Sequence, residues 1–450
     1  AEKGLQAFFR GATDFEYTDF MHGLTSSSAL IGCIIGSSLS GLFAMRLGRK
    51  NSLVFAGICF FISAWGSMFP ESWILTNGKP TLNLLVVFNL YRVLGGIGVG
   101  MASAICPMYI GEVAPSNIRG MLVSWNQFAI IFGQLVVYFV NFIILGGHSN
   151  PIYNAAGAIA NMADAQWTIT TGWRYMFGSE CIPAALFTIF ICFVPETPRY
   201  LVMIKQDKKA LDVLTRINGT EKAIEILSDI KNTISVKKEK LFSYGFMCIF
   251  IGIMLSVFQQ AVGINAVLYY APRIFQDMGM ENPMVQTVIM GIVNISFTLV
   301  AVFTVEKLGR KPLLIWGSIG MAIGALGVAI TFGNPSLNIL TMVSIMIYSA
   351  SFMFSWGPIC WVLIAEIFPN TIRGTAVAIA VAFQWIFNFI VSSTFVPMFN
   401  MHLSHGDNFG HWFTYGIYGL ICVIAAVFVW KLVPETKGKT LEDMTKLWKK

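Results

Sequence analysis

The chain contains the basic motif Arg46-Leu47-Gly48-Arg49-Lys50 and repeats it as Lys307-Leu308-Gly309-Arg310-Lys311. Two further motifs follow each copy in the same order. These are Glu112-Val113-Ala114-Pro115-Ser116-Asn117-Ile118-Arg119-Gly120 with Glu366-Ile367-Phe368-Pro369-Asn370-Thr371-Ile372-Arg373-Gly374, and Pro195-Glu196-Thr197-Pro198-Arg199 with Pro434-Glu435-Thr436-Lys437. Long apolar stretches separate all of them. A repeat of whole membrane halves is typical of a transporter.

The composition predicts a polytopic membrane protein. Hydrophobic residues make up 56% of the 450 residues and charged residues only 12%, which is too few charges for a soluble surface of this size. The apolar stretches have the length of bilayer-spanning helices and lack the short alternation of barrel strands. We therefore expect an all-α protein with eleven spans, near residues 24–45, 52–70, 83–111, 121–146, 173–194, 243–271, 284–305, 313–332, 337–364, 374–397 and 412–433.

The distribution of charge excludes nucleic acid as a partner. The formal net charge is +7, but the Lys and Arg residues lie in alternate loops between the expected spans. This is the positive-inside bias of a protein in a lipid bilayer, and it places those loops in the cytoplasm. The linker between the halves and the C-terminus are predicted to be cytoplasmic.

The segment 196–240 is rich in charge and carries apolar residues at helical spacing, such as Leu211, Leu214 and Ile217. We expect short amphipathic helices that link two halves. The predicted organisation is an N-terminal bundle of five spans in 1–195, a cytoplasmic linker in 196–240, and a C-terminal bundle of six spans with a short tail in 241–450.

The position of the repeated motif allows the lengths of the two halves to be compared. In the second half 69 residues, 241 to 309, precede Arg310, whereas only 48 precede Arg49. The difference of 21 residues corresponds to about one membrane helix. We expect that the first of twelve spans is missing from the N-terminus.

Several uncharged polar residues fall at one depth near the bilayer centre on different spans. They are Gln134, Gln259, Gln260, Asn265, Asn294, Gln384 and Asn388, with Tyr269 further out and Trp361 and Trp385 beside them. A single amide of this kind is commonly interhelical glue, but a cluster suggests a water-filled cavity. Amides that donate and accept, with indole faces, suit the hydroxyls and C–H edges of a sugar. Amino acids, nucleotides and ions fit an uncharged cluster less well.

Two ionisable residues lie well inside expected spans, Arg92 and Glu180. Intramembrane charges are expensive, so they are candidate functional residues, although a structural ion pair is the alternative. Arg92 does not release a proton at accessible pH. It would serve as the counter-charge to a titrating carboxylate, for which Glu180 is the candidate.

The basic and acidic loop residues of each half can form ion pairs that hold helices together in one state, and breaking them is a plausible cytoplasmic gate. The candidates are Arg46, Arg49, Glu112, Arg119 and Glu196 in the first half, and Arg310, Glu366, Arg373 and Glu435 in the second. A merely topogenic role is the alternative.

Gly95-Gly96-Ile97-Gly98-Val99-Gly100 superficially resembles a phosphate loop, but it lies in a span with no preceding strand, so we expect close helix packing. No Ser/His/Asp or metal-ligand constellation is visible. The sequence predicts neither an enzyme nor a bound cofactor or metal.

The repeated motifs, together with Gln259-Gln260-Ala261-Val262-Gly263-Ile264-Asn265 and Ser355-Trp356-Gly357-Pro358-Ile359-Cys360-Trp361, resemble the sugar porter family of the major facilitator superfamily, and within it the bacterial D-xylose and proton symporters. The resemblance implies two pseudo-symmetric helical bundles, alternating access to a central sugar, and a monomer in the inner membrane. It adds Gly357 to the site and implies that xylose or a glucose-like monosaccharide is bound by these residues: Gln134, Gln259, Gln260, Asn265, Tyr269, Asn294, Gly357, Trp361, Gln384 and Trp385. It also implies protons as the coupling ion, with Arg92 partnering a membrane carboxylate and Glu180 a second coupling residue.

Two departures from the family pattern bear on these expectations. The family's first helix supplies an aromatic to the sugar site and the Asp that takes the proton, and neither has a counterpart here. Met45 also stands where an acidic or amide residue is usual, which leaves the first gate network one partner short. A facilitative uniporter, a sugar receptor and a non-transporting fragment therefore stay open as alternatives to symport.

Overall fold

The computed structural model describes residues 2–73, 79–115, 118–146, 148, 151, 159, 161–234, 241–277, 283–369, 371–399, 401, 409–438 and 448. Eleven helical segments among them are long and apolar enough to cross a membrane, as the sequence predicts. The C-terminal tail beyond residue 438, apart from 448, and the linker end at 235–240 lie outside the described residues.

The first half begins with a short amphipathic helix and contains five spans. Its helices are α1 (Glu2–Arg10), α2 (Asp19–Arg46), α3 (Arg49–Met68), α4 (Leu82–Val113), α5 (Arg119–Leu145), α6 (Met162–Trp167), α7 (Trp173–Gly178) and α8 (Cys181–Phe193). One turn of π-helix, Thr168–Gly172, joins α6 to α7, so α6 to α8 form a single span.

That fifth span corrects one sequence-based boundary. It starts at Met162 rather than near residue 173. The added turns contain Asp164, Gln166 and several threonines, whose polarity resembles that of a loop. They are helical because their apolar face packs on α1, where Ala165 and Ile169 share a buried cluster with Phe8.

Three short helices connect the halves: α9 (Pro198–Met203), α10 (Asp207–Asn218) and α11 (Thr220–Ile234). They bury their apolar faces against one another, with Leu201, Val202 and Val213 in a small core of their own. Lys231 pairs with Asp207 on the outer surface at 2.6 Å. The expected amphipathic helices are present.

The second half contains six spans made from eight helices. These are α12 (Phe246–Ala261), α13 (Ile264–Asp277), α14 (Pro283–Leu308), α15 (Arg310–Thr331), α16 (Asn338–Phe354), α17 (Trp356–Glu366), α18 (Arg373–Phe399) and α19 (Phe409–Leu432). The pairs α12/α13 and α16/α17 are single spans interrupted at Val262–Gly263 and at Ser355. The two halves meet mainly where α2 packs on α18 and where α5 packs on α14.

Each copy of the basic motif is a tight turn between two spans. Gly48 and Gly309 have φ of 89° and 90°, a conformation that residues with a side chain rarely adopt. A Cβ on Gly48 would lie 2.3 Å from the Glu196 carboxylate, and one on Gly309 would lie 2.8 Å from that of Glu435. The glycines therefore admit a carboxylate to the start of the following helix.

Glycines also let α2 and α4 pack in direct backbone contact. A Cβ on Gly96 would lie 1.9 Å from the Ala29 carbonyl oxygen, and one on Gly32 would lie 2.0 Å from that of Val93. A Cβ on Gly100 would lie 2.1 Å from the Cys33 carbonyl oxygen. The glycine-rich stretch 95–100 is thus a helix-packing surface, as expected from its position in a span.

Candidate functional site

A chain of side-chain amides crosses the second half at the α12/α13 break. Asn265 donates to Gln260 Oε1 at 2.6 Å, and Gln260 donates to Gln259 Oε1 at 3.2 Å. Gln384 of α18 also donates to Gln259 Oε1. Four of the predicted site residues, from three helices, are therefore brought together in one hydrogen-bonded group.

The interruption between α16 and α17 completes this group. The carbonyls of Trp356 and Gly357, at the start of α17, accept hydrogen bonds from Gln259 Nε2 at 3.2 and 3.3 Å. Trp356 is held in turn by a 2.7 Å hydrogen bond from its Nε1 to Ser318. Gly357, which the family resemblance contributed, joins the site through its backbone.

The amide chain leaves an acceptor unused. Gln384 Oε1 is buried and accepts no hydrogen bond from the described residues. A buried polar atom without a partner costs about 1–3 kcal/mol. A ligand hydroxyl that donates to this oxygen would offset that cost, so the arrangement is suited to an uncharged polyol.

A second group of predicted residues lines a small cavity between the halves. Gln134 of α5 and Asn294 of α14 face it, together with Tyr138, Leu268 and Met290. Gln134 donates to the Tyr138 hydroxyl at 3.1 Å, and Asn294 accepts from Ser349 at 2.6 Å. Tyr269 lies beside this region with its side chain half exposed and its hydroxyl against Asn388.

Gln127, which is not among the residues predicted from the sequence, lies two helical turns before Gln134 on the same face of α5. Its side chain is buried, and its amide makes no hydrogen bond within the described part of the chain. The i to i+7 spacing from Gln134 was the available signal. Gln127 lies nearer the start of α5 than Gln134 does, outside the depth of the predicted polar cluster.

The two predicted tryptophans lie at the contact between the halves rather than in the amide chain. Trp385 of α18 donates from Nε1 to Ser103 Oγ of α4 at 3.0 Å. Trp361 is buried and lines a narrow cavity with Ser103, Met108 and Arg373. Both indoles therefore border the path between the amide chain and the end of the molecule that carries the charged motifs, which we call the motif end.

The charged motifs of the first half form a compact network at the motif end. Arg49 Nη2 donates to Glu112 Oε1 at 2.6 Å. The Glu196 carboxylate accepts the backbone N–H groups of Arg49 and Lys50 at 3.1 and 3.0 Å, as an anion does at a helix N-terminus. Burial raises the pKa of the Glu196 carboxyl, against these N–H groups and that of Thr197, which lower it.

The second half repeats this geometry with one more carboxylate. Arg310 contacts Glu366 at 3.0 Å and Glu306 at 2.8 Å. Glu435 accepts the backbone N–H groups of Arg310 and Lys311 at 3.1 and 2.9 Å. Met45 occupies the first-half position that corresponds to Glu306, and Arg49 Nε is buried without a partner among the described residues. The first network therefore has one carboxylate fewer than the second, as the sequence predicts.

The second network also touches the first half. A Cβ on Gly120, at the start of α5, would lie 2.4 Å from Glu306 Oε1 and 2.5 Å from Arg310 Nη2. The charge of Arg119 acts on Glu366 across the same contact. These contacts close the motif end between the halves.

Two other predicted gate residues take different places. The Arg46 side chain is exposed and forms no ion pair in the described part of the chain, and its contact with Tyr200 runs through its backbone carbonyl at 3.0 Å. Arg373 donates to the Phe368 carbonyl at 2.9 Å and lines the Trp361 cavity.

Arg92 and Glu180 are near each other but do not form an ion pair. The Arg92 guanidinium lies over the Phe177 ring, 5.2 Å from its centroid. Glu180 is exposed at the junction of α7 and α8 and interacts with the Arg92 charge at longer range. No carboxylate of the described residues lies within 4.0 Å of Arg92.

Two pseudo-symmetric sets of membrane helices, a central uncharged polar site and a charged network at one end define a membrane transporter of the alternating-access class. The chain belongs to the sugar transporter family of the major facilitator superfamily: the family model "Sugar (and other) transporter" matches residues 5–448. This membership agrees with the expectations of two helical bundles and of a transporter rather than an enzyme.

The similarity to individual relatives extends over nearly the whole chain. The chain is 47% identical to the D-xylose-proton symporter of Escherichia coli K12 over 437 residues, which cover 95% of this chain and 86% of the relative. Among solved structures, the proton:xylose symporter XylE bound to 6-bromo-6-deoxy-D-glucose matches with a TM-score of 0.88 and 45% identity, covering 100% of this chain and 94% of the other.

The arrangement of the halves is less similar to an inward-open relative. The inward open conformation of XylE from E. coli gives a TM-score of 0.75 at 44% identity, with the same coverage of both chains. The two relatives are almost equally identical to this chain in sequence, so the lower TM-score reflects a different arrangement of the helices. The structure as a whole therefore resembles the sugar-bound relative more than the inward-open one.

Proposed function

We propose that this protein is a proton-coupled symporter of D-xylose or a related monosaccharide, which it moves by alternating access across the cytoplasmic membrane. The 47% identity to a D-xylose-proton symporter supports the substrate class and the coupling. The single observation that carries the sugar site is the uncharged amide chain that ends at the unsatisfied Gln384 oxygen. Hydroxyl groups both donate and accept, so they fit a row of amides.

The proposed sugar contacts extend across the interface of the halves. They are Gln134, Gln259, Gln260, Asn265, Tyr269, Asn294, Gly357, Trp361, Gln384 and Trp385, with Gln127 added from the structure. Because Gln127 and Gln134 belong to the first half and the others to the second, a bound sugar would join the halves. Such a ligand favours the conformation in which both sets face it.

We propose Arg92 and Glu180 as the proton-coupling pair. An arginine in a membrane span favours the charged form of a nearby carboxylate, and protonating that carboxylate would release it. A facilitative uniporter is the alternative to symport. The two readings differ in whether sugar accumulates.

The charged networks are proposed to be a gate that is closed in this structure. Arg49, Glu112 and Glu196 would hold the first half, and Arg310, Glu366 and Glu435 the second, with Arg119 and Arg373 beside the contact of the halves. The positive-inside bias supports a cytoplasmic location of this end, of the linker 196–240 and of the C-terminus. We also propose bundles in 1–195 and 241–450 and a monomeric state.

Uptake of radiolabelled D-xylose by proteoliposomes tests the proposal. With an inward proton gradient, symport predicts accumulation above the external concentration, and collapse of the gradient with an ionophore abolishes it. Uptake that only equilibrates identifies a uniporter. Sugar binding without uptake would support the receptor or fragment readings, and no sugar binding would overturn the proposed site.

A further inference from the structure

The break between α12 and α13 needs a hydrogen-bond donor from another helix. α12 ends at Ala261, α13 begins at Ile264, and Gly263 has φ +86° between them. Among the described residues no backbone N–H donates to the Val262 carbonyl at this point. A buried carbonyl in a membrane-spanning segment is unfavourable without such a donor.

Tyr348 of α16 supplies that donor. Its side chain is completely buried, and its hydroxyl donates to the Val262 carbonyl. Tyr418 of α19 packs its ring against the same break, 2.4 Å from the place where a Gly263 Cβ would be. The conformation of the break is thus fixed from two sides, by one hydrogen bond and by one ring.

The amide chain crosses this break. Gln259 and Gln260 precede it on α12, whereas Asn265 follows it on α13. The 2.6 Å hydrogen bond from Asn265 to Gln260 exists only while α13 leaves the break in its present direction. A change of the backbone at Val262 would move Asn265 away from the other amides.

We propose that Tyr348 is a positioning residue for the sugar site: through the Val262 carbonyl it sets the direction of α13 and thereby holds Asn265 in the amide chain. This inference rests on the proposed function, because it requires that the amide chain binds the sugar. Tyr348 makes no hydrogen bond to these amides within the described part of the chain. By holding Asn265 in place before the sugar binds, it lowers the entropy cost of ordering the site on binding.

The same helix bundle contains a matched control. Tyr415 of α19 is also completely buried, and its ring lies 6.4 Å from that of Tyr418. Its hydroxyl has no hydrogen-bond partner among the described residues. Tyr415→Phe therefore removes the same atom from the same region without removing a hydrogen bond.

The first experiment compares equilibrium binding of D-xylose to the detergent-purified wild type, Tyr348→Phe and Tyr415→Phe. One neutral hydrogen bond corresponds to about a three- to tenfold change in Kd, which we expect as weaker binding by Tyr348→Phe. Tyr415→Phe is expected to bind as the wild type does. Equal affinity of Tyr348→Phe and the wild type would overturn the inference.

A double-mutant cycle with Asn265→Ala tests whether Tyr348 acts through Asn265. We expect Asn265→Ala to weaken binding and Tyr348→Phe to add little in that background. A full additional loss would place the action of Tyr348 elsewhere and overturn the inference. If Asn265→Ala binds weakly and Tyr348→Phe binds as the wild type does, only this inference is overturned. If Gln259→Ala and Asn265→Ala both bind as the wild type does, the proposed sugar site is overturned as well.

A variant with p-aminophenylalanine at position 348 separates positioning from a loss of folding. Its amino group restores an N–H donor to the Val262 carbonyl on a ring of the same shape. We expect sugar affinity within about twofold of the wild type, a difference smaller than one hydrogen bond. Failure of this folded variant to recover the affinity lost by Tyr348→Phe would count against the hydrogen bond as the cause.

Discussion

Trp385 Nε1 donates a 3.0 Å hydrogen bond to Ser103 Oγ, and this bond joins α18 of the second half to α4 of the first. The two residues are 282 positions apart in the chain. The bond lies beside the Trp361 cavity, between the amide chain and the motif end. It can exist only while the halves are close together there, so it stabilises the closed motif end.

Ser103→Ala should make the motif end open more readily. Loss of a hydrogen bond worth about 1 kcal/mol corresponds to about a fivefold shift between the closed and open states. The rate of maleimide alkylation of a cysteine placed at Ala365, which lines the same cavity, would report the opening. Ser393→Ala is the control because its hydroxyl bonds within α18, to Phe389. Equal alkylation rates in both variants would contradict the role of Ser103.

Gln259→Ala should weaken sugar binding more than any other single amide change. Gln259 accepts from Gln260 and Gln384 and donates toward Trp356 and Gly357, so its removal disorders several groups at once. Loss of two such bonds predicts about a tenfold or larger rise in Kd for D-xylose, measured by calorimetry. Gln166→Ala, on the exposed face of α6, is the control. Unchanged affinity with an intact thermal transition would make Gln259 a packing residue.

Arg92→Leu should abolish proton coupling while sugar binding is retained. Arg92 contacts the Phe177 ring and makes no hydrogen bond to the described amides. Xylose-driven alkalinisation of proteoliposomes should disappear while exchange of labelled sugar continues. The matched change Arg174→Leu removes an arginine that pairs with Glu71 at 2.7 Å. It should keep coupling but lower stability by about 1–3 kcal/mol, since it leaves a partly buried charge without its hydrogen bonds. Coupled transport by Arg92→Leu would count against the proposed pair.

Two single variants, Met45→Glu and Glu306→Met, test the effect of the carboxylate that the second charged network has and the first lacks. Met45→Glu offers Arg49 the second carboxylate that Arg310 already has. We expect a higher thermal midpoint and slower net transport, because a charge-assisted hydrogen bond worth about 1.5–3 kcal/mol would have to break at each opening. Glu306→Met should have the opposite effect on both measurements. The prediction fails if both variants match the wild type.

The sequence was sufficient for the features that depend on composition and repetition. Eleven spans follow from apolar length, and the equivalence of Arg49 with Arg310 follows from the repeated motif. The turns at Gly48 and Gly309 also follow, because only a glycine accommodates both the turn and the carboxylate. These properties depend on local chemistry, which the order of residues records directly.

The interruptions of the helices could not be predicted in the same way. The segments that contain Val262, Ser355 and Glu180 are each long and apolar enough overall to count as one span, so apolar length does not reveal where a helix stops. The breaks are stabilised by distant groups, as Tyr348 does for Val262. The bond from Trp385 to Ser103 and the absence of an ion pair between Arg92 and Glu180 likewise depend on how the helices pack. Gln127 is different, since its spacing from Gln134 carried a signal.

The glycine contacts between α2 and α4 decide which parts of the molecule act as a lever. A Cβ on Gly32 or on Gly96 would lie 2.0 or 1.9 Å from a carbonyl oxygen of the facing helix, so no side chain separates the two helices at these contacts. They must tilt together as one rigid arm. Since α2 also packs on α18, a tilt of α2 and α4 moves α18 directly, and with it Gln384 and Trp385. Movement that starts in the first half would therefore reach the sugar contacts of the second half at once.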